Sequence, residues 1–196
     1  MKKGGSKNKG NAFEREIAKK LSLWLTDNTL SDAVWRSDTS GGRSTLRVKK
    51  GEKKTQNMID NAGDLKSVIP QGQYDNLDRF FNLFCVELKF YKEINMHIPL
   101  KGHLVKFFDQ CLQQQAQTQK DIFLIVKANR KKTLIFTSAH IKCGNRLSVY
   151  RYKDKGFHCY LLDDFFVDTK DCDCSSRMPG TFCFLDGSVY ADKTDN

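Results

Sequence analysis

The sequence predicts an α/β domain: a mixed central β-sheet flanked by helices. Three observations predict it. Phe13, Ile17, Leu21 and Trp24 recur at i, i+4, i+8 and i+11, a single helical stripe. Seven short runs rich in β-branched and aromatic residues follow along the chain. A second helical pattern, at 103–119, interrupts those runs. The resulting order is α-β-β-β-α-β with extra strands toward the C-terminus, which packs as layers around one sheet.

Residues 1–10 contain Lys, Gly, Ser and Asn with no apolar anchor, so a flexible basic arm is expected there. The first helix then starts near Asn11, a plausible N-cap with Glu14 three residues later, as in a capping box. DAVWRS (32–37) reads as a short strand. Residues 38–62 are rich in Gly, Ser, Thr and Lys and read as a long loop. DLKSVI (64–69) alternates as a strand, 74–82 suggests a helical turn, and FCVELKF (84–90) is the next strand. The helix 103–119 carries Leu104, Phe107, Phe108, Cys111 and Leu112 on its apolar face. DIFLIVKA (121–128), TLIFTS (133–138), RLSVYRY (146–152) and FHCYLL (157–162) are strands. There is no internal repeat. The domain is expected to span 11–162, followed by an acidic, cysteine-containing extension at 163–196.

A chain of 196 residues suits one domain with a sizeable core. Its longest apolar run, IFLIV at 122–126, is far short of the ~20 residues of a membrane span. MKKGGSKNKGNAF is charged with no apolar segment behind it, so no secretory signal is expected. Seven cysteines without an export signal point to reduced thiols, hence a cytoplasmic or nucleoid-associated protein, or the host cytoplasm if the source is viral. The formal charge is +10, with 14 Lys/Arg against 6 Asp/Glu in residues 1–54 and 3 against 8 in residues 163–196. A basic body favours a polyanionic partner, most simply nucleic acid. No basic amphipathic helix with an aromatic face suggests a membrane surface instead.

FCVELKF contains an anomaly. Alternate side chains of a strand share a face, so Val86, Leu88 and Phe90 point one way and Cys85, Glu87 and Lys89 the other. Two charges on a central strand are costly unless they are paired or bind something. One solution is a plain Glu–Lys ion pair. Another is a metal site, with Glu87 a ligand and Lys89 orienting a water. Glu-x-Lys spacing alone says little, but Asp64 opens the preceding strand, and pairing there can bring Asp64 and Glu87 to one sheet edge. Asp60 is the rival, further into the loop. Two carboxylates with backbone carbonyls and waters suit Mg²⁺ or Mn²⁺, which acidifies water and offsets phosphate charge.

GDLKSV followed by CVELKF resembles the bipartite motif of the PD-(D/E)XK nuclease superfamily. KGNAFEREIAKKL and VWRSDTSGG resemble the first helix and the strand-to-Ser/Gly loop of its archaeal-type Holliday junction resolvases. The resemblance covers roughly residues 9–127 through short motifs. It implies a restriction-endonuclease-like core and a Mg²⁺-dependent (or Mn²⁺-dependent) DNA endonuclease. Asp64 and Glu87 would be direct metal ligands, Glu14 a helix carboxylate holding the metal or its water, and Lys89 the catalytic lysine. Ser37 or Ser40 would be the loop serine near the site. The implied substrate is a four-way junction or other branched DNA, and two symmetric cuts imply a homodimer. The chain departs from the pattern by having Gly63, not Pro, before Asp64, and by long intervals at 38–62 and between Asp64 and Glu87. Alternatives are a restriction-like, repair or end-processing nuclease, and a non-catalytic basic DNA-binding module.

Weaker signals accompany these. Gln110 or Gln114 on the helix 103–119 could lend a polar group to the site. Arg36, Arg43 and the cluster Arg47, Lys49, Lys50, Lys53 and Lys54 are candidates for phosphate contacts, as Ser37 and Ser40 are for DNA contacts. His158, Cys159, Cys172, Cys174 and Cys183 contain metal-ligand types but not the paired C-x₂-C spacing of a strong zinc signal.

Overall fold

The computed structural model describes residues 5–37, 62–94, 102–139, 141 and 145–168. Helix α1 (Gly5–Leu25) leads to strands β1 (Val34–Arg36) and β2 (Leu65–Ser67). Helix α2 (Asp75–Leu83) then runs directly into β3 (Phe84–Tyr91). Helix α3 (His103–Thr118), strands β4 (Asp121–Ala128), β5 (Leu134–Thr137), β6 (Arg146–Tyr152) and β7 (Lys155–Leu161), and helix α4 (Leu162–Asp168) complete the order. The main sheet is mixed and five-stranded, in the order β3-β4-β5-β7-β6. Among the described strands only β3 and β4 run parallel, with α3 as the connection between them. β1 and β2 form a separate antiparallel ribbon, with Trp35 opposite Lys66 and Arg36 opposite Leu65.

The sheet separates two apolar layers. On one face Phe13, Ile17, Leu21 and Trp24 of α1 pack with Leu77 and Phe80 of α2, Val86 and Leu88 of β3, and Phe165 of α4. On the other, Leu104, Phe107, Phe108 and Cys111 of α3 cover Cys85, Leu124, Phe136 and Phe157. Phe108 stacks on Phe157 with ring centroids 4.2 Å apart. The α1 stripe is therefore buried as its periodicity predicts. Ser22 fixes the ribbon to α1: its buried hydroxyl donates to the Ala18 carbonyl (2.8 Å) and accepts from the Val34 N–H (2.9 Å). Asp27 and Asn28 adopt left-handed conformations just past Leu25, turning the chain out of the helix.

Three expectations change. The first helix begins at Gly5, so residues 5–10 are helical and do not belong to a flexible arm. Asn11 and Glu14 consequently lie inside the helix and form no capping box. Once the packed stripe nucleates α1, each further residue adds a hydrogen bond, and no proline stands in 5–12 to stop it. In place of the helical turn expected at 74–82 stands a full nine-residue helix, Asp75–Leu83, with Asp75 and Asp78 in its first turn where the helix dipole favours carboxylates. Finally, the packed domain extends past residue 162, because Leu162 and Phe165, three apart on α4, are both buried. The acidic composition of that segment belongs to the opposite side of the helix, where Asp163 and Asp164 are exposed.

Candidate active site

The site lies where the β1–β2 ribbon meets the β3 edge of the main sheet. The Asp64 N–H donates to the Val86 carbonyl (2.7 Å), and the Asp64 carbonyl accepts from the Ser37 N–H (2.9 Å). Asp64 is therefore held by backbone bonds on both sides, between the end of β1 and the middle of β3. Its side chain points along the same edge, with Oδ2 accepting from the Leu88 N–H at 2.8 Å. Gly63 makes this approach possible. Its φ is +93°, and a Cβ there would stand 2.6 Å from the Val86 oxygen. A proline, locked near φ −65°, cannot take this conformation. The Gly in place of the superfamily's Pro is thus a requirement of this backbone.

Glu87 is 2% exposed. Burial at that level requires partners, and three donors supply them. Lys89 Nζ donates to Oε2 at 2.8 Å, Gln110 Nε2 to the same oxygen at 3.1 Å, and Gln114 Nε2 to Oε1. The strand alternation predicted that Glu87 and Lys89 share a face. It did not predict that Gln110 and Gln114, one turn apart on α3, both grip the same carboxylate; their spacing of four was the available signal. Cys111, buried beside them, has its thiol pushed well up by burial and then by Glu87, so it stays protonated.

Electrostatics follow from this crowding. The Asp64 carboxyl is partly accessible yet densely surrounded. Burial, then Glu87, pushes it up to about 7 against the opposing pull of Lys89 and the Leu88 N–H. Burial alone would pull the Lys89 ammonium down, but Glu87 and Asp64 outweigh it and hold it above its ordinary value. Two carboxylates thus share one lysine.

Glu14 lies on α1 close enough to raise Asp64 further. Its carboxylate is ion-paired with Arg36 of β1. No group of three or more His, Cys, Asp or Glu able to hold a metal occurs among the described residues. Glu14 is thus held by Arg36 while lying near enough to act on Asp64. Ser37 is buried at 3% rather than exposed. Arg36 is half-buried against Glu14. Ser40, Arg43, Arg47, Lys49, Lys50, Lys53 and Lys54 lie outside the described residues, as do Asp60, Cys172, Cys174 and Cys183. His158 and Cys159 are adjacent on β7 and face opposite sides of it: Cys159 is in the α3 layer, and His158 contacts Arg146 at 3.2 Å. They cannot ligate one ion together.

The donor set fits a hard divalent cation. Asp64 Oδ1 has no donor among the described residues, and the buried Gln114 Oε1 has none either. Uncompensated oxygen acceptors beside two mutually repelling carboxylates are what Mg²⁺ or Mn²⁺ and its waters would satisfy.

An Asp and a Glu-x-Lys joined at one edge of a mixed α/β sheet is the arrangement of the PD-(D/E)XK nucleases. Residues 5–163 match the model of a family described as "Phage putative PDDEXK endonuclease", and the chain belongs to that family. It is a nuclease by that membership. Among curated proteins no sequence matches. Among solved structures the chain is similar to Hjc, a Holliday junction resolvase from the archaeal hyperthermophile Archaeoglobus fulgidus. Identity is 13% over 80% of this chain and 89% of that one, with a TM-score of 0.33. No described helix is long and apolar enough to cross a membrane.

Proposed function

We propose that the protein is a divalent-metal-dependent endonuclease that hydrolyses phosphodiester bonds in branched DNA, with a four-way junction as its substrate. The observation that carries the nuclease chemistry is the clamp of Asp64 onto β3 beside Glu87 and Lys89. The substrate is supported by the FEREIAKKL and VWRSDTSGG motifs and by the +10 charge. The protein works as a homodimer in the cytoplasm, or in that of an infected host, since two symmetric cuts need two sites.

Asp64 and Glu87 would hold the cation, with Glu14 helping to hold it or its water. Bound Mg²⁺ or Mn²⁺ supplies positive charge against the phosphate and lowers the pKa of water. Lys89 remains protonated and donates to a phosphate oxygen or to the attacking water. Gln110 and Gln114 prevent the Glu87 carboxylate from rotating, and the Leu88 N–H does the same for Asp64. Arg36 holds Glu14 in place.

The test is cleavage of a labelled four-way junction beside linear duplex of the same sequence, with Mg²⁺ and with EDTA. Paired symmetric nicks in the junction alone, lost in EDTA, are expected. Asp64→Ala and Glu87→Ala are expected to abolish cutting while leaving DNA binding largely in place; an equal collapse of binding would make both residues structural. Metal-dependent cutting of both DNAs would leave a nuclease without junction specificity. Binding without cutting would favour a DNA-binding module.

A further inference from the structure

The ribbon that carries Asp64 also displays an aromatic ring with no role in the chemistry above. Trp35, at the centre of β1, is 51% exposed, whereas Trp24, the chain's other tryptophan, is 4% exposed. Strand alternation explains its direction. Val34 is buried and Arg36 turns to Glu14 of α1, so Trp35 projects from the opposite face. Lys66 is its cross-strand partner, and Val68, next on that face, is also exposed. Among the described residues the indole makes no ring contact and no side-chain hydrogen bond. Trp35 and Val68 together expose adjoining apolar surface on one face of the ribbon.

Position and charge say what this surface suits. Arg36 follows Trp35 directly, with consecutive Cα atoms about 3.8 Å apart, and Lys66 lies two residues after Asp64. Trp35 and Lys66 thus sit on the ribbon that leads into Asp64. The chain carries a charge of +10 and belongs to an endonuclease family. Flat aromatic rings beside cationic groups bind unstacked bases without regard to sequence, because every base has a π-face. We propose that Trp35, with Lys66 beside it, is a stacking platform for an unpaired nucleobase next to the scissile phosphate. It deepens the branched-DNA reading and rests on it: a base at a branch point can leave its stack, whereas a continuous duplex offers none.

Buried Trp24 leaves Trp35 as the accessible fluorophore, which makes the test direct. Full-length protein is titrated in EDTA with a four-way junction, a single-stranded oligonucleotide and a blunt duplex. Tryptophan emission and the anisotropy of labelled DNA are read together. The junction and the single strand are expected to quench emission, and the duplex much less. Trp35→Ala is expected to bind junction and single strand roughly tenfold more weakly, with duplex binding unchanged. Trp35→Phe is expected to keep most of the affinity, and the Trp24 emission of both variants reports that they are folded. DNA binding with unchanged emission overturns the proposal, as does Trp35→Ala binding the junction as tightly as the wild type. Emission that changes with protein concentration without DNA, together with a Trp35→Ala protein that loses self-association, also overturns it and assigns the ring to an interface between copies. Junction cleavage undiminished in Trp35→Ala removes the platform alone. A wild-type protein that binds and cuts only duplex removes the branched-DNA reading and the platform with it.

Discussion

Asp64 is a carboxyl group whose surroundings oppose its charge. Its value is pushed up to about 7, from 3.8 in an unfolded chain, by burial and then by Glu87. Below 3.8 both states are protonated and folding carries no penalty from this group. Between 3.8 and 7 the unfolded chain ionises while the folded one does not, so stability falls as pH rises; above 7 the penalty is constant. Metal-free Asp64→Asn, which can still accept from the Leu88 N–H, is therefore expected to melt higher than the wild type at pH 8. The gain is on the order of 5 °C, shrinking as the pH approaches 4, and thermal unfolding in EDTA measures it. Mg²⁺ is expected to raise the wild-type Tm and leave the Asn variant unmoved. A variant less stable at every pH would make Asp64 a structural residue. The glutamines act through Glu87 and not on substrate. Gln110→Ala combined with Gln114→Ala is expected to raise the Mg²⁺ concentration for half-maximal cleavage about tenfold or more, with DNA affinity unchanged. A fall in rate at unaltered metal requirement would contradict this.

At the scale of elements, the ribbon's seat on β3 depends on one backbone conformation. Gly63→Ala places a Cβ 2.6 Å from a backbone oxygen at a φ of +93°, and neither side can yield without moving Asp64. A loss of about 1–3 kcal/mol in stability is expected, with cleavage falling further than binding. Gly63→Pro restores the superfamily's usual residue and is expected to be worse, since no proline reaches that φ. Cleavage by the proline variant at the wild-type rate would refute the described turn. Helix α4 closes the other end of the same layer, where Phe165 lies 5.7 Å from Trp24 and 5.2 Å from Tyr160 between ring centroids. Phe165→Ala is expected to cost about 3–5 kcal/mol, read by urea unfolding. A cost under 1 kcal/mol would return α4 to the status of an appendage. The sequence hid α4 because its acidic residues dominate the composition, while its apolar pair is too short a pattern to register against that background.

For the molecule as a whole, charge sets how DNA is approached and the site sets what happens to it. A basic protein contacting on the order of six phosphates loses ~10³ in affinity between 50 and 200 mM salt, and junction binding is expected to fall as steeply. A flat salt dependence would argue against backbone contacts from this basic surface. The rate of cutting by prebound complex is expected to vary far less, because Glu87 and its ion pair with Lys89 are largely buried. Light scattering at working concentration is expected to give a dimer, and paired nicks require it; a monomer that makes single cuts would remove the symmetric-resolution reading.

Local physics made much of this legible in the sequence. Runs rich in β-branched and aromatic residues located the seven described strands, and helical spacing located the stripe of α1 and the apolar face of α3. The odd charges of CVELKF correctly placed Glu87 and Lys89 on one face, opposite Val86 and Leu88. Each of these follows from the period of a single element, which neighbouring residues determine among themselves. Only the tertiary structure decided the rest. Asp64 reaches β3 because Gly63 adopts a left-handed conformation against Val86, a contact between residues 23 apart. Gln110 and Gln114 grip Glu87 because α3 packs across that face of the sheet. Glu14 is turned to Arg36 because Ser22 moors β1 to α1. Long-range packing sets these contacts, and a local pattern carries no record of the element that will pack against it.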